Sequence, residues 1–272
     1  MRPSFPRIIG RLRTGRDSAP DGSQTFEARD TRAVVVLGGG SAIGVAVARA
    51  LVARGAQTLV LAGRNRASML AEAAGIDARI ELVDFDARAT DSHVTSIEEA
   101  FTLAGPVQAV IVAFGVLGDT DAFELSPTLA GGAATVNFAG GVSASLAAAK
   151  ALARQPEGGT VIVLSSMAIV RPRRVNYIYG AAKAGLDYFA RGLADSYRGR
   201  VRVLIVRPGF VRTKMTAGLR PRPLQTTAER VAVDVVRSLE RGGDICWSPW
   251  TMRLASIPAR LAPSWLVRRI AG

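Results

Sequence analysis

Cysteine and histidine occur once each in the 272 residues, as Cys246 and His93, and lysine only at positions 150, 183 and 214. One cysteine excludes an internal disulfide, and one histidine leaves no His/Cys cluster with metal-ligand spacing, which argues against a metalloenzyme or a histidine-based triad. No run of about 18 to 20 apolar residues is free of both charge and glycine clusters, so no membrane-crossing helix is expected. Acidic residues are the scarcer sign, 22 against 35 basic ones, for a net charge of +13. Between Ser165 and Arg222 the imbalance is 13 basic to 2 acidic residues. A surplus of this kind attracts nucleic acid, anionic lipid or an anionic small substrate. Helix-turn-helix, zinc-finger and aromatic-basic signatures are all missing, so nucleic acid is not expected as a partner.

What is present is an apolar fraction of 49% and a length suited to one large α/β domain. The first 16 residues carry five arginines and no acid, without the apolar run of a secretory signal. Residues 1–31 therefore read as a disordered basic arm, a surface anchor or a mistaken start being the alternatives. Residues 32–250 read as the domain and 251–272 as a tail.

Within the domain, "AVVVLGGG" from Ala33 to Gly40 is a β-branched run ending in glycines, followed by a helical pattern that stops at Gly55. Further apolar runs start at Thr58, Ile80, Gln108, Thr160 and Val201, most of them separated by helical segments. Continuous apolar strands alternating with helices indicate a parallel sheet covered on both faces. The expected fold is α/β, a Rossmann-type doubly wound parallel sheet in a single domain.

Ligands in such folds bind beyond the carboxyl ends of the strands. After the first strand come Gly38, Gly40, Ser41, Ile43 and Gly44, in a turn where side chains would keep the backbone from a pyrophosphate stabilised by the next helix N-terminus. The second strand ends at Gly63-Arg64 rather than at an acid for a ribose 2′-hydroxyl. Arg64 either pairs with a 2′-phosphate, favouring NADPH over NADH, or is simply solvated. Asp84, closing the third strand with Phe85 behind it, is placed to meet adenine or to cap a helix.

Tyr179 and Lys183 stand at i and i+4 on one helical face. A phenol of ordinary pKa about 10 is a poor acid-base catalyst at neutral pH unless an ammonium favours its ionised form, and Lys183 is expected to do that. Ser166, just past the fifth strand, is expected to hold a substrate carbonyl at the same point, and Asn137 to anchor a water linking Lys183 to solvent.

The order of glycine turn, Asn137, Ser166, Tyr179, Lys183 and Pro208-Gly209 resembles the short-chain dehydrogenase/reductases across roughly residues 33 to 216. The resemblance implies hydride transfer from a nicotinamide to a carbonyl whose oxygen Tyr179 protonates, with Lys183 also on the cofactor ribose. It further implies a nicotinamide segment at "RPGFVRT", with Val211 and Thr213 beside the carboxamide, and pairing of subunits into a homo-oligomer. Leu37 and Ala42 stand where the family usually has threonine and glycine, and Ala113-Phe114-Gly115 replaces its Asn-Ala-Gly.

Within the family, "VDFDARATDSH", "IVAFGVLGD", "RRVNYIYGAAKAGLD" and "RPGFVRTKM" are similar to the branch that reduces decaprenylphosphoryl-2-keto-ribose in actinobacterial cell-wall synthesis. Such enzymes act on a ketone made by a flavin-dependent oxidase. Arg171, Arg173 and Arg174 then become candidates for the phosphodiester of a polyprenyl-phosphate sugar, a solvated loop being the alternative. The end of the chain from Trp247 has three tryptophans, four arginines and no acid. It suits peripheral contact with an anionic membrane through short helices broken at Pro249, Pro258 and Pro263, or packing against a neighbouring subunit. The need for a pyridine nucleotide points to the cytoplasm or the inner membrane's cytoplasmic face. A reductase of a soluble ketone or acyl thioester, and a non-catalytic nucleotide-binding subunit, are the rival readings.

Overall fold

The computed structural model describes residues 32–219 and 224–263. The expected basic arm and the last part of the tail lie outside the described residues. The apolar runs form the strands β1 (Ala33–Leu37), β2 (Thr58–Gly63), β3 (Arg79–Asp84), β4 (Val107–Val112), β5 (Gly159–Leu164) and β6 (Val201–Pro208). A further strand, β7 (Ile245–Ser248), joins them in one seven-stranded sheet of order β3-β2-β1-β4-β5-β6-β7. Every pairing is parallel. The single cysteine sits on β7, buried opposite Val206.

The helices are α1 (Ala42–Val52), α2 (Arg66–Ala73), α3 (His93–Ala104), α4 (Thr120–Leu125), α5 (Pro127–Ala134), α6 (Gly141–Ala153), α7 (Tyr177–Ser196), α8 (Ala228–Glu240) and α9 (Thr251–Leu261). They cover both faces of the sheet, which explains why β1 is buried at every position: its alternate residues feed two separate cores. Val35 and Leu37 point into the core under α3, α6 and α7, and Val34 and Val36 into the one under α1 and α8. His93 stacks on Phe85 at 4.6 Å in the first core, and burial pushes its pKa down, so it is a neutral packing residue.

Residues Pro127–Ala153 form one helical stretch long and apolar enough to cross a membrane by length and composition, yet half of its apolar window is buried. Its faces pack on α3, β4, β5 and α7, which makes it a core helix of the sheet. The stretch passes from α5 to α6 through a π-helical turn, Thr135–Gly140, that carries Asn137. Pro258 does not interrupt α9 as expected from sequence: it stands exposed within the helix.

Candidate active site

The carboxyl ends of the strands open into a cavity of about 720 Å³, within the range of small-ligand sites. Its floor at β1 is the glycine turn. Gly38 has φ +94°, and a Cβ there would meet the backbone of Phe114 at 2.7 Å, so only glycine closes this turn. Gly40 faces the cleft, and Ser41 caps α1 by accepting from the Gly44 N–H at 3.3 Å. Ser41, Ala42 and Ile43 thus bring the α1 N-terminus to the cleft wall, a site prepared for phosphate. Gly44 serves packing instead of contact: a Cβ there would lie 2.5 Å from that of Ala113.

The adenosine side differs from the sequence expectation. Arg64 and Phe85 line the cleft, but Asp84 does not; its exposed carboxylate pairs with Arg66 at 3.2 Å. Asp86 and Arg88 line the cleft in its place, joined to each other at 3.1 Å. The Arg88 hydrogen bond holds the Asp86 carboxyl below its usual range, burial opposes this, and the charge of Arg64 adds to it. Sequence reasoning missed both residues. The signal was the second Asp of "VDFDAR", one strand-repeat beyond the first.

At the nicotinamide end, α7 carries Tyr179 and Lys183 into the cleft beside Ser165, Gly115 and Pro208. Ser166 lies just past β5, where its hydroxyl accepts from the Ala168 N–H at 3.1 Å and hydrogen bonds to the Tyr179 phenol. Lys183 is 3% exposed and donates from Nζ to the Leu164 carbonyl at 2.9 Å. Burial pushes its ammonium down to about 8. Burial also pushes the Tyr179 phenol up, against the Ser166 hydrogen bond, while the ring keeps an opening to the cleft. The expected depression of the phenol by Lys183 is therefore corrected. Both groups share one apolar floor, and the Lys183 charge is directed at a carbonyl.

Asn137 is buried in the π-turn, its Oδ1 accepting from the Val116 N–H at 2.9 Å and its Nδ2 donating to the Val116 carbonyl at 2.7 Å. A Cβ on Gly115 would come within 2.9 Å of Asn137 Oδ1 and 3.5 Å of Lys183 Nζ, so the three residues meet at one point. A single-turn π-helix at a functional side chain is a recurring device. Thr213 lines the cleft and opens the short helical turn Lys214–Thr216, whereas the Val211 side chain is turned into the core. Gly209 lies against Met252 of α9.

Beneath these groups lies a network that sequence reasoning missed. Asp187, 1% exposed and one turn beyond Lys183, accepts from the Ser165 hydroxyl at 2.8 Å, from Arg207 at 2.7 and 2.8 Å, and from Arg191 at 2.8 Å. Burial alone would raise its carboxyl, but Arg207, Ser165 and Arg191 together hold it below the ordinary range. Arg207 also lies over the Trp247 ring at 4.8 Å. The three basic loop candidates separate. Arg171 donates to the carbonyls of Ala259 and Ala262, holding α9, so it is corrected from a phosphate ligand to a structural tie. Arg173 and the exposed Arg174 stay on the loop that leads into α7.

A glycine cradle at a helix N-terminus, joined to buried Lys183 and Asn137 and the partly buried Ser166 and Tyr179, fits a dinucleotide. A family model described as short chain dehydrogenase matches residues 32–223. The chain belongs to that family. An uncharacterised oxidoreductase of Streptomyces coelicolor is 43% identical to it over 244 residues, 88% of this chain and 96% of the relative. One from Mycobacterium tuberculosis is 40% identical, over 87% of this chain and 96% of its own length. A galactitol 2-dehydrogenase (L-tagatose-forming) of Cereibacter sphaeroides is 32% identical over 71% of this chain and 77% of its own. Among solved structures, a short chain dehydrogenase of Burkholderia cenocepacia in complex with NADP shares the fold with a TM-score of 0.73 and 20% identity, covering 89% of this chain and 98% of that one. This short-chain dehydrogenase is an NAD(P)-dependent oxidoreductase, and the departures at Leu37, Ala42 and Ala113 leave its cleft intact.

When bound, the nicotinamide supplies or accepts the hydride. The chain's own part would be to orient the carbonyl and move a proton. Tyr179, which lines the cleft, and Ser166, within hydrogen-bonding reach of its phenol, are the groups that would orient a carbonyl and donate a proton to it. A phenol raised by burial remains the protonated, donating form in the reduction direction. Lys183 keeps a proton in reach of Gly115 and Asn137 behind it.

Proposed function

We propose that this short-chain dehydrogenase uses NADPH to reduce the 2-keto group of a pentose carried on polyprenyl phosphate, decaprenylphosphoryl-2-keto-ribose, to the arabinose form. The observation that carries the reductive reading is the Ser166-Tyr179 hydroxyl pair above buried Lys183, with Asn137 behind it. NADPH is favoured because Arg64 lines the adenosine end, where no acid closes β2, with a second guanidinium, that of Arg88, beside it on Asp86. The sugar reading draws on the stretches quoted above and on similarity to an enzyme that works at carbon 2 of a polyol. For the anionic lipid link, Arg174 stands exposed on the loop before Tyr179, in the segment with 13 basic and 2 acidic residues.

The test is a coupled assay. A flavin-dependent oxidase generates the lipid-linked ketone, NADPH is supplied, and the sugar product is identified with wild type and Tyr179→Phe. Arabinose formed by wild type, with kcat lower by about 10²- to 10⁴-fold in the variant, is the expected result. Turnover of simple ketones but not of the lipid-linked sugar would keep the reductase and discard this substrate. Arg174→Ala should raise KM for the lipid-linked ketone more than for a neutral one; equal effects would remove the phosphate role.

A further inference from the structure

The last described helix, α9, has two unlike faces. Its inner face is tied down: Met252 packs on Gly209, Ser256 is buried, and Arg171 from the loop behind Ser166 donates to the Ala259 and Ala262 carbonyls. Its outer face carries Trp250, Leu254, Ile257 and Leu261, spaced by four, three and four residues, which is a single stripe at helical period. These four are 61, 56, 56 and 79% exposed, so the stripe is outward-facing along the whole length of the helix. Arg253 stands exposed beside it, and no acidic residue occurs from Ile245 to the end of the sequence.

We propose that α9 docks on the surface of an anionic lipid bilayer, lying in the headgroup plane with Trp250, Leu254, Ile257 and Leu261 turned toward the acyl chains. Three observations favour this occupant. A stripe of tryptophan and long aliphatic side chains, with Arg253 as the one charged side chain described beside it on α9, matches the interface of a bilayer, where an indole and a guanidinium are both at home. The +13 charge of the chain complements an anionic leaflet, and a second copy of this chain would bring like charge against like. The helix is also fixed in place by Arg171 and Met252, so docking requires little further ordering. Those ties run to the loops bordering Ser166 and Pro208, so α9 is anchored next to the candidate site. The inference stands on the helix itself and does not need the lipid-linked substrate.

The test uses the full-length protein and sedimentation with vesicles of phosphatidylcholine, with and without phosphatidylglycerol. Wild type is expected to pellet with the phosphatidylglycerol vesicles, less so with phosphatidylcholine alone, and to be released by added salt. Leu254→Glu/Ile257→Glu should partition at least about 10-fold more weakly, since it removes two inserted aliphatic groups. NADPH binding and thermal stability, read on the same samples, should be unchanged. Leu261→Ser, at the most exposed position of the stripe, is the milder second variant and should weaken partitioning in the same direction. Wild type left in the supernatant with anionic vesicles would overturn the proposal, as would variants that pellet like wild type. A variant that falls apart from an oligomer without losing vesicle binding would assign the stripe to a second copy and likewise overturn it. Carbonyl reduction of lipid-free ketones by the same variants separates loss of docking from loss of the reductase.

Discussion

Lys183 costs the protein stability in return for its place in the site. Its folded value of about 8 lies below the ordinary 10.5, so the unfolded chain binds that proton more tightly. The penalty is full below about pH 8 and fades as pH rises toward 10.5. Lys183→Met should therefore be inactive yet more stable at pH 7, by up to roughly 3 kcal/mol. Denaturant unfolding from pH 7 to 10.5 should show the stability gap between Lys183→Met and wild type narrowing as pH rises, a difference in which the groups common to both proteins cancel. Cofactor choice is also decided by single residues. If Arg64 and Arg88 both meet a 2′-phosphate, replacing both with alanine should cut the NADPH to NADH ratio of kcat/KM by roughly 10- to 100-fold, the worth of one to two charge-assisted hydrogen bonds. An unchanged ratio would take both out of the site.

The elements were legible in the sequence where burial is continuous. β1 through β6 announce themselves as apolar runs, and Tyr179 with Lys183 reads correctly because i and i+4 fix a shared face before any tertiary contact exists. The failures have local causes. Two aspartates two residues apart, Asp84 and Asp86, straddle the end of β3, and a pattern of period two cannot say where a strand stops. β7 is four residues long with a serine and a tryptophan in it, too short and mixed to stand out. Asp187 carries no signal in the sequence, because its partner Arg207 stands 20 residues away on β6. This carboxylate ties α7 to the ends of β5 and β6 at once. Asp187→Asn strips the charge from a buried pair and should destabilise the fold by about 3 to 5 kcal/mol in denaturant unfolding. Since the folded Asp187 value is depressed, its contribution is present above the ordinary 3.8 and is lost as pH falls below that.

Across the whole molecule, the cleft takes its walls from both halves of the sheet: Gly38 to Ile43, Arg64 and Arg88 on one side, Tyr179, Lys183 and Pro208 on the other. A ligand spanning it stabilises the domain as a unit. NADPH at about 100 times its Kd adds roughly 2.7 kcal/mol, a rise in Tm of about 5 to 10 °C for a chain of this size. A calorimetric scan should show one transition moving by that amount.

The buried sulfur on β7 gives the same domain a built-in clock. Burial pushes the Cys246 thiol up to about 11, so in the native state it offers almost no thiolate to a reagent. It is the sole sulfhydryl in the sequence and is shielded by β6 and α8. The rate at which an aromatic disulfide reagent labels it therefore counts how often β7 parts from the sheet, without any engineered probe.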